Sequence, residues 1–182
     1  MRPQRLSGTH SEGLCIYIKM MKEIKLTQGQ VALVDDGDFD RANAFKWFAL
    51  KGKNTFYAAR SVTVNGKRNL QYMHKFIMGD NPLKLDIDHR DGDGLNNQKE
   101  NLRFCTRSEN QMNRGPNKNH SSVYKGVCWH KSTKKWIVHI QIDGKQIYFG
   151  LFNNEEDAAH VYDEMAIKYF GEFAKLNFDK RV

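Results

Sequence analysis

Asp88 and His89 stand side by side in LKLDIDHRDGDGLNNQKENLRFCTRSENQMN (residues 83–113), with Asn96, Asn97, Asn101, Asn110 and Asn113 after them. A carboxylate and a side-chain amide oxygen suit a hard cation such as Mg²⁺. That ion keeps several of its waters and needs only one or two oxygens from a protein. Asp88 offers the first and Asn110 the second. An imidazole with an unperturbed pKa of about 6.5 can take a proton from water near neutrality, which makes His89 a candidate general base. Asparagine is poor in helix interiors and in strands, so its enrichment here points to turns, caps or a polar site. Asn101 could hold the loop and orient the imidazole, and Asn97 is expected to tie the same loop. With Arg103 and Arg107 available for phosphate, the parts for phosphodiester hydrolysis are present.

Elements must bring these groups together. Alternation of Leu85, Ile87 and His89 against Lys84, Asp86 and Asp88 predicts a strand over 84–89. Ideal pleating would turn Asp88 and His89 to opposite faces unless the strand ends there. DGDGLNN reads as a loop, and Asp91, Asp93 and Asn97 lack the glutamate that a twelve-residue calcium loop needs. Thr106 and Glu109 match a capping box, which predicts a short helix from about Arg107. The order is strand, loop, short strand, helix.

The stretch resembles the HNH endonuclease family, and within it the phage and intron-encoded homing branch. The resemblance rests on Asp88–His89, DGDGLNN, the NLR of Asn101–Arg103, the SEN of Ser108–Asn110 and, upstream, YMHK at Tyr72–Lys75. It implies a ββα-metal core over about 70–113, with Asp88 and Asn110 as ligands of Mg²⁺ or Mn²⁺. It also implies His89 as general base and Asn101 as the orienting asparagine. Asn110 replaces the third histidine of the family name, which argues against zinc or nickel. His74 is either a phosphate contact or a packed histidine.

The C-terminal third resembles the AP2 DNA-binding domain. YKGVCWH, KW, YFGLF and the run EEDAAHVYDEMAIKYFGEFAKLNF carry that resemblance. It implies a three-stranded antiparallel sheet packed on one helix over 123–178 that reads double-stranded DNA in the major groove. Position by position, Lys125, Cys128, His130, His139, Gln141, Gln146 and Tyr148 become the contacts, and their period of about two supports a common face. Trp136, Phe149 and Phe152 are expected in the core.

Around these lie a β-rich module over 21–80, with Asn65–Lys67 as a hairpin turn and DDGDFD as another turn. Residues 114–122 form a linker without apolar residues, across which few contacts are expected. Residues 1–20 are expected to be a disordered leader, or upstream sequence ahead of a later start at Met20 or Met21. The fold class is α+β. A net charge of +8 suits a polyanionic partner, and residues 99–135 hold nine Lys/Arg against two acids. The three cysteines are far apart, which fits a reduced compartment. No apolar run reaches the roughly 18 residues that span a bilayer. An intracellular setting, with a bacterial host for a phage-type protein, is therefore expected, with no membrane or protein partner. The alternative is a DNA-binding, transcriptional protein carrying a relic nuclease; RNA as substrate is a third possibility.

Overall fold

The computed structural model describes residues 21–116, 121–142 and 144–178. The expected leader, the middle of the linker and the turn residue Asp143 lie outside the described residues. The chain is α+β, with ten strands, all paired antiparallel within their sheets, and four α-helices among the described residues.

IKLTQGQVALV folds back on itself as β1 (Met21–Lys25) and β2 (Val31–Asp35). DDGDFD, expected as a turn, instead opens helix α1 (Asp36–Asn43). Asp36 and Asp38 in the first turn meet the partial positive charge of the helix start. Asp38 is also buried between Arg41 and Lys99, each 2.9 Å away. Strands β3 (Phe48–Lys51), β4 (Phe56–Val64) and β5 (Lys67–Tyr72) form a sheet. Asn65 and Gly66 turn its long hairpin with φ of 51° and 72°, the geometry an Asn-Gly turn supplies.

Strand β5 stops at Tyr72, and the second half of NLQYMHKFIM departs from the β-rich pattern expected over 21–80. MHKFIM is helix α2 (Met73–Met78), burying Met73, His74 and Ile77 at helical spacing before Gly79 ends it. Then come β6 (Asp86–His89), β7 (Leu102–Cys105) and α3 (Arg107–Met112). Both halves of the Thr106–Glu109 capping box form. The loop between β6 and β7 docks on β2, where Leu33 N–H donates to Leu95 (2.9 Å) and Asn97 N–H donates to Leu33 (2.8 Å). One hydrophobic core runs from Ile24 and Val34 through Trp47 and Met73 to Leu95 and Leu102. The N-terminal strands and the Asp-His segment are therefore one folding unit.

A second core lies beyond the linker. Strands β8 (Val127–His130), β9 (Lys135–Ile142) and β10 (Lys145–Phe152) form a meander in the order β10-β9-β8. Helix α4 (Glu155–Phe170), capped by Asn154, covers it with Ala158, Tyr162 and Ala166, and Trp136, Phe149 and Phe152 pack there as expected. Tyr169, three positions beyond Ala166, is exposed. A 3₁₀ turn (Gly171–Phe173) follows.

The expectation that few contacts cross the linker does not hold. Met112 of α3 packs on the second core, Arg90 pairs with Glu172 at 2.7 Å, and the Lys125 ammonium donates to the Met112 carbonyl. The polar connection predicts only itself; the elements on either side carry the contact. Among the described residues no helix is long and apolar enough to cross a membrane. Cys105 and Cys128 are free thiols.

Gly126 enters β8 at φ 75°, and a Cβ there would fall 1.9 Å from the Tyr162 ring. Gly126→Ala should cost about 3 kcal/mol through overpacking and backbone strain. Gly144→Ala, at φ 77° with open space around it, should cost only about 1 kcal/mol. Urea unfolding followed by tryptophan fluorescence checks the contrast, and equal losses would refute it.

Candidate functional site

Register places Asp88 opposite Arg103 and His89 opposite Leu102. Strand β6 ends at His89, whose carbonyl accepts from Gly92 N–H at 2.9 Å. That ending lets both neighbours border one open cleft of about 980 Å³, together with Tyr57, Asn110, Asn113 and Arg114. Both are buried, each 6% exposed.

Asp88 is closely held. Its Oδ2 accepts from Arg103 Nε at 2.9 Å and Nη2 at 2.7 Å. Asn113 Nδ2 sits between the two carboxylate oxygens, 3.1 Å from each, and donates to the His89 carbonyl at 2.9 Å. Oδ1 therefore keeps acceptor capacity. The Asn110 amide leans its Nδ2 on Asp86 Oδ2 at 3.4 Å, and among the described residues its oxygen has no hydrogen-bond donor. One anionic and one amide oxygen on the same cleft fit a hard cation that retains water. Among the described residues no three His, Cys, Asp or Glu side chains cluster as metal ligands, so any such ion would rely on the Asp88 carboxylate together with amide, water and phosphate oxygens.

His89 packs edge-on to His74 with ring centroids 5.1 Å apart, and against Tyr57 at 5.9 Å. Burial lowers its pKa, while the Asn97 side chain, Asp91, Asp88 and Asp93 pull upward. The approach of Asn97 falls short of a formed hydrogen bond, since His89 Nε2 and Asn97 Oδ1 are both buried without a partner. His74, stacked on Tyr72, is pushed down to about 3, first by burial and then by His89 and Lys75.

The asparagines divide by task. Asn101 donates to Asp91 Oδ1 (2.9 Å) and to the Asn96 carbonyl (2.8 Å), and its own Oδ1 accepts from Asp91 N–H (3.1 Å). It holds the loop as expected, but it is Asn97 that lies beside the imidazole. Gly94 allows this loop to press on β4, where a Cβ would fall 2.5 Å from the Phe56 carbonyl.

On the C-terminal sheet, Gln141 pairs with Gln146, His139 with Tyr148, and Cys128 with Ile137. With Val138 and Ile140 buried on the opposite side, Cys128, His130, His139, Gln141, Gln146 and Tyr148 share the outer face. Cys128 Sγ lies 3.8 Å from His139 Nδ1, and Tyr148 donates to Gln146 at 3.1 Å.

The profile of the family described as "HNH endonuclease" matches residues 75–112, and that of "AP2 domain" matches 122–172. The chain carries an HNH endonuclease domain and an AP2 domain. It is similar, at 29% identity over 155 residues, to a protein of Acanthamoeba polyphaga mimivirus described as "Uncharacterized HNH endonuclease L560", covering 82% of this chain and 76% of that one. The AP2 part is 44% identical over 66 residues to "APETALA2-like protein 2" of Oryza sativa subsp. indica. It is 43% identical over 65 residues to "AP2-like ethylene-responsive transcription factor TOE2" of Arabidopsis thaliana. Each plant match covers 36% of this chain, and spans only 15% and 13% of those proteins. No solved structure matches.

Two expected phosphate or base contacts are placed elsewhere. Arg103 in the HNH domain is 6% exposed and committed to Asp88. Lys125 lies off the AP2 face, because it stands at the parity of buried Val127 and not at that of Cys128 and His130. Its ammonium is turned to Met112, and burial, with Lys175 nearby, lowers its pKa to about 8. Arg107 is exposed on α3 beside Lys84 and Arg114.

Sequence reasoning missed Asn113, Tyr57, Lys53 and Lys175, all of which line the HNH cleft. Lys175 comes from the AP2 side of the linker and could not be placed by spacing. It also missed a legible signal: residues 41–79 hold eight Lys/Arg and no acid.

The two depressed histidines fix a pH dependence. In the unfolded chain His74 titrates near its ordinary value of 6.5, and in the folded chain near 3. Stability is thus fully present above about 6.5 and is lost as pH falls, because the unfolded state takes the proton first. Between pH 7 and 5 the loss from His74 should be about 2 kcal/mol. His74→Leu should flatten the acid limb by that amount in urea unfolding at the two pH values; an unchanged limb would contradict the buried neutral imidazole.

Proposed function

We propose that the chain is a divalent-cation-dependent DNA endonuclease of the homing type, with a ββα-metal catalytic core and an AP2 sheet packed on its helix as DNA reader. The convergence of Asp88, His89 and Asn110 on one cleft with basic residues at its rim carries this reading. Lys53, Arg114 and Lys175 approach that cleft from three parts of the chain and suit backbone phosphates.

His89 is neutral at pH 7 and takes the proton of the attacking water. Asp91, Asp88 and Asp93 stabilise the imidazolium that results. The water oxygen bonds to phosphorus as the bond to the leaving oxygen breaks. Mg²⁺ or Mn²⁺ held by Asp88 and Asn110 would supply charge stabilisation at that oxygen. Tyr57 and His74 wall the imidazole, and the Asn101 ties keep the loop closed around it.

Two surfaces suit duplex DNA away from the cut. The outer AP2 face offers His, Gln and Tyr side chains to base edges. The β4–β5 ribbon bears exposed Lys67 and Arg68 within the acid-free stretch, and a two-stranded ribbon fits the major groove. The mutual pairing of Asp88 and Arg103 favours the competing reading, a DNA-binding protein that does not cut.

Plasmid incubated with Mg²⁺ decides between them: nicking or linearisation abolished by EDTA supports the endonuclease, and intact plasmid supports the binder. His89→Ala should slow cleavage by roughly 10²–10⁴ with duplex affinity unchanged, and undiminished cleavage removes His89 from the mechanism. Replacing Lys67 and Arg68 by Ala should reduce the slope of log affinity against log salt by about 2, roughly 0.9 for each phosphate left unneutralised. An unchanged slope means the ribbon does not touch DNA.

A further inference from the structure

We propose that the Gly171–Phe173 turn of the AP2 domain is part of the cleavage machinery, with Glu172 and Phe173 as positioning residues that fix Arg103 and, through it, Asp88. This rests on Asp88 being the cation ligand of the proposed function. A guanidinium is a rigid plane, so whatever fixes one edge orients the other. The Nε and Nη2 edge of Arg103 holds Asp88 Oδ2. Its Nη1 donates to the Glu172 backbone carbonyl at 2.6 Å, and its plane lies 4.0 Å from the centroid of the Phe173 ring. Every nitrogen of this buried side chain is committed, one edge to the HNH site and the other to the AP2 turn.

The turn itself is firmly set. Asp163 on α4 accepts from Asn177 N–H at 2.8 Å and Phe178 N–H at 2.9 Å, just beyond the turn. Asn177 brackets Lys125 by accepting from its N–H at 2.7 Å and donating to its carbonyl at 3.1 Å. Ala174, Leu176 and Phe178 pack into the second core. Arg90, next to His89, also pairs with Glu172, but that carboxylate is 60% exposed and the pair contributes little. The carbonyl and ring contacts of the buried Arg103 are the link that matters. They turn the carboxylate so that Oδ2 takes both guanidinium contacts, and Oδ1, shared with Asn113 Nδ2, keeps capacity for the cation.

Arg103→Lys and Phe173→Ala both keep the local charge, so a change in cation affinity reports orientation. In the full chain without DNA, Mn²⁺ binding followed by electron paramagnetic resonance should weaken about 10-fold in each variant, as for loss of an outer-sphere partner. Asp88→Asn identifies the signal by abolishing it. Phe173→Tyr, which keeps the ring, should bind as wild type. The double variant should be no weaker than Arg103→Lys alone, because both act on one path. Duplex affinity should stay within about twofold throughout, since Phe173 lies off the reading face. Phe173→Leu keeps apolar bulk and replaces the alanine variant if that one fails to fold.

Unchanged Mn²⁺ affinity, additive losses, or no saturable Mn²⁺ site in wild type would each overturn the proposal. A chain that cleaves but shows no Phe173 effect on Mn²⁺ loses only the positioning role. A chain that shows the effect but never cleaves loses only the endonuclease.

Discussion

A carboxylate taken out of water must be met by donors or give up its charge, and Asp88 is met from three directions. Strand pairing sets Arg103 opposite it, α3 delivers Asn113 to its other side, and the AP2 turn holds Arg103 from behind. Replacing a single donor in such a buried set leaves an uncompensated charge, which costs more than the pair itself contributes. The register of β6 on β7, the length of α3 and the docking of the two cores are all constrained by this one group. A register slip of one residue would put Phe104 where the guanidinium is needed.

The local signals were legible because local chemistry decided them. The capping box at Thr106 needs only its own four residues, and Asn65-Gly66 needs only the positive φ that the turn demands. The outer face of the AP2 sheet followed from period-two alternation, which the pleat enforces wherever the strand is regular. Failures came where a distant partner outvoted the local pattern. DDGDFD has turn composition, yet Lys99 and Arg41 neutralise Asp38 inside the fold and the helix dipole welcomes the other acids. MHKFIM reads as a strand until Met73, His74 and Ile77 are seen to share a helical face on the core.

Site residues followed the same division. Asp88, His89 and Asn110 were singled out by type and by family resemblance, and the structure brings them to one cleft. Arg103 carried a charge that suggested phosphate, but its fate was settled by a pairing register and a ring 70 positions away in Phe173. Lys125 was placed by resemblance, against a parity that it shares with buried Val127. Charge type can be read from a sequence; whether a charge is spent internally depends on contacts that spacing does not encode.

The core that runs from Ile24 to Leu102 has a bearing on how such a site could be moved between proteins. The Asp-His segment reads like a cassette, with obvious loop edges on either side. Cutting it out would strip Leu95 and Leu102 of the strands that cover them, and would part the Asp35 carboxylate from the Lys99 N–H that donates to it at 2.9 Å. Recombination that preserves this folding unit must therefore cross before β1 or near the linker, and a crossover near the linker also has to bring a tail that can grip Arg103. The transferable piece is larger than the motif by which it is recognised.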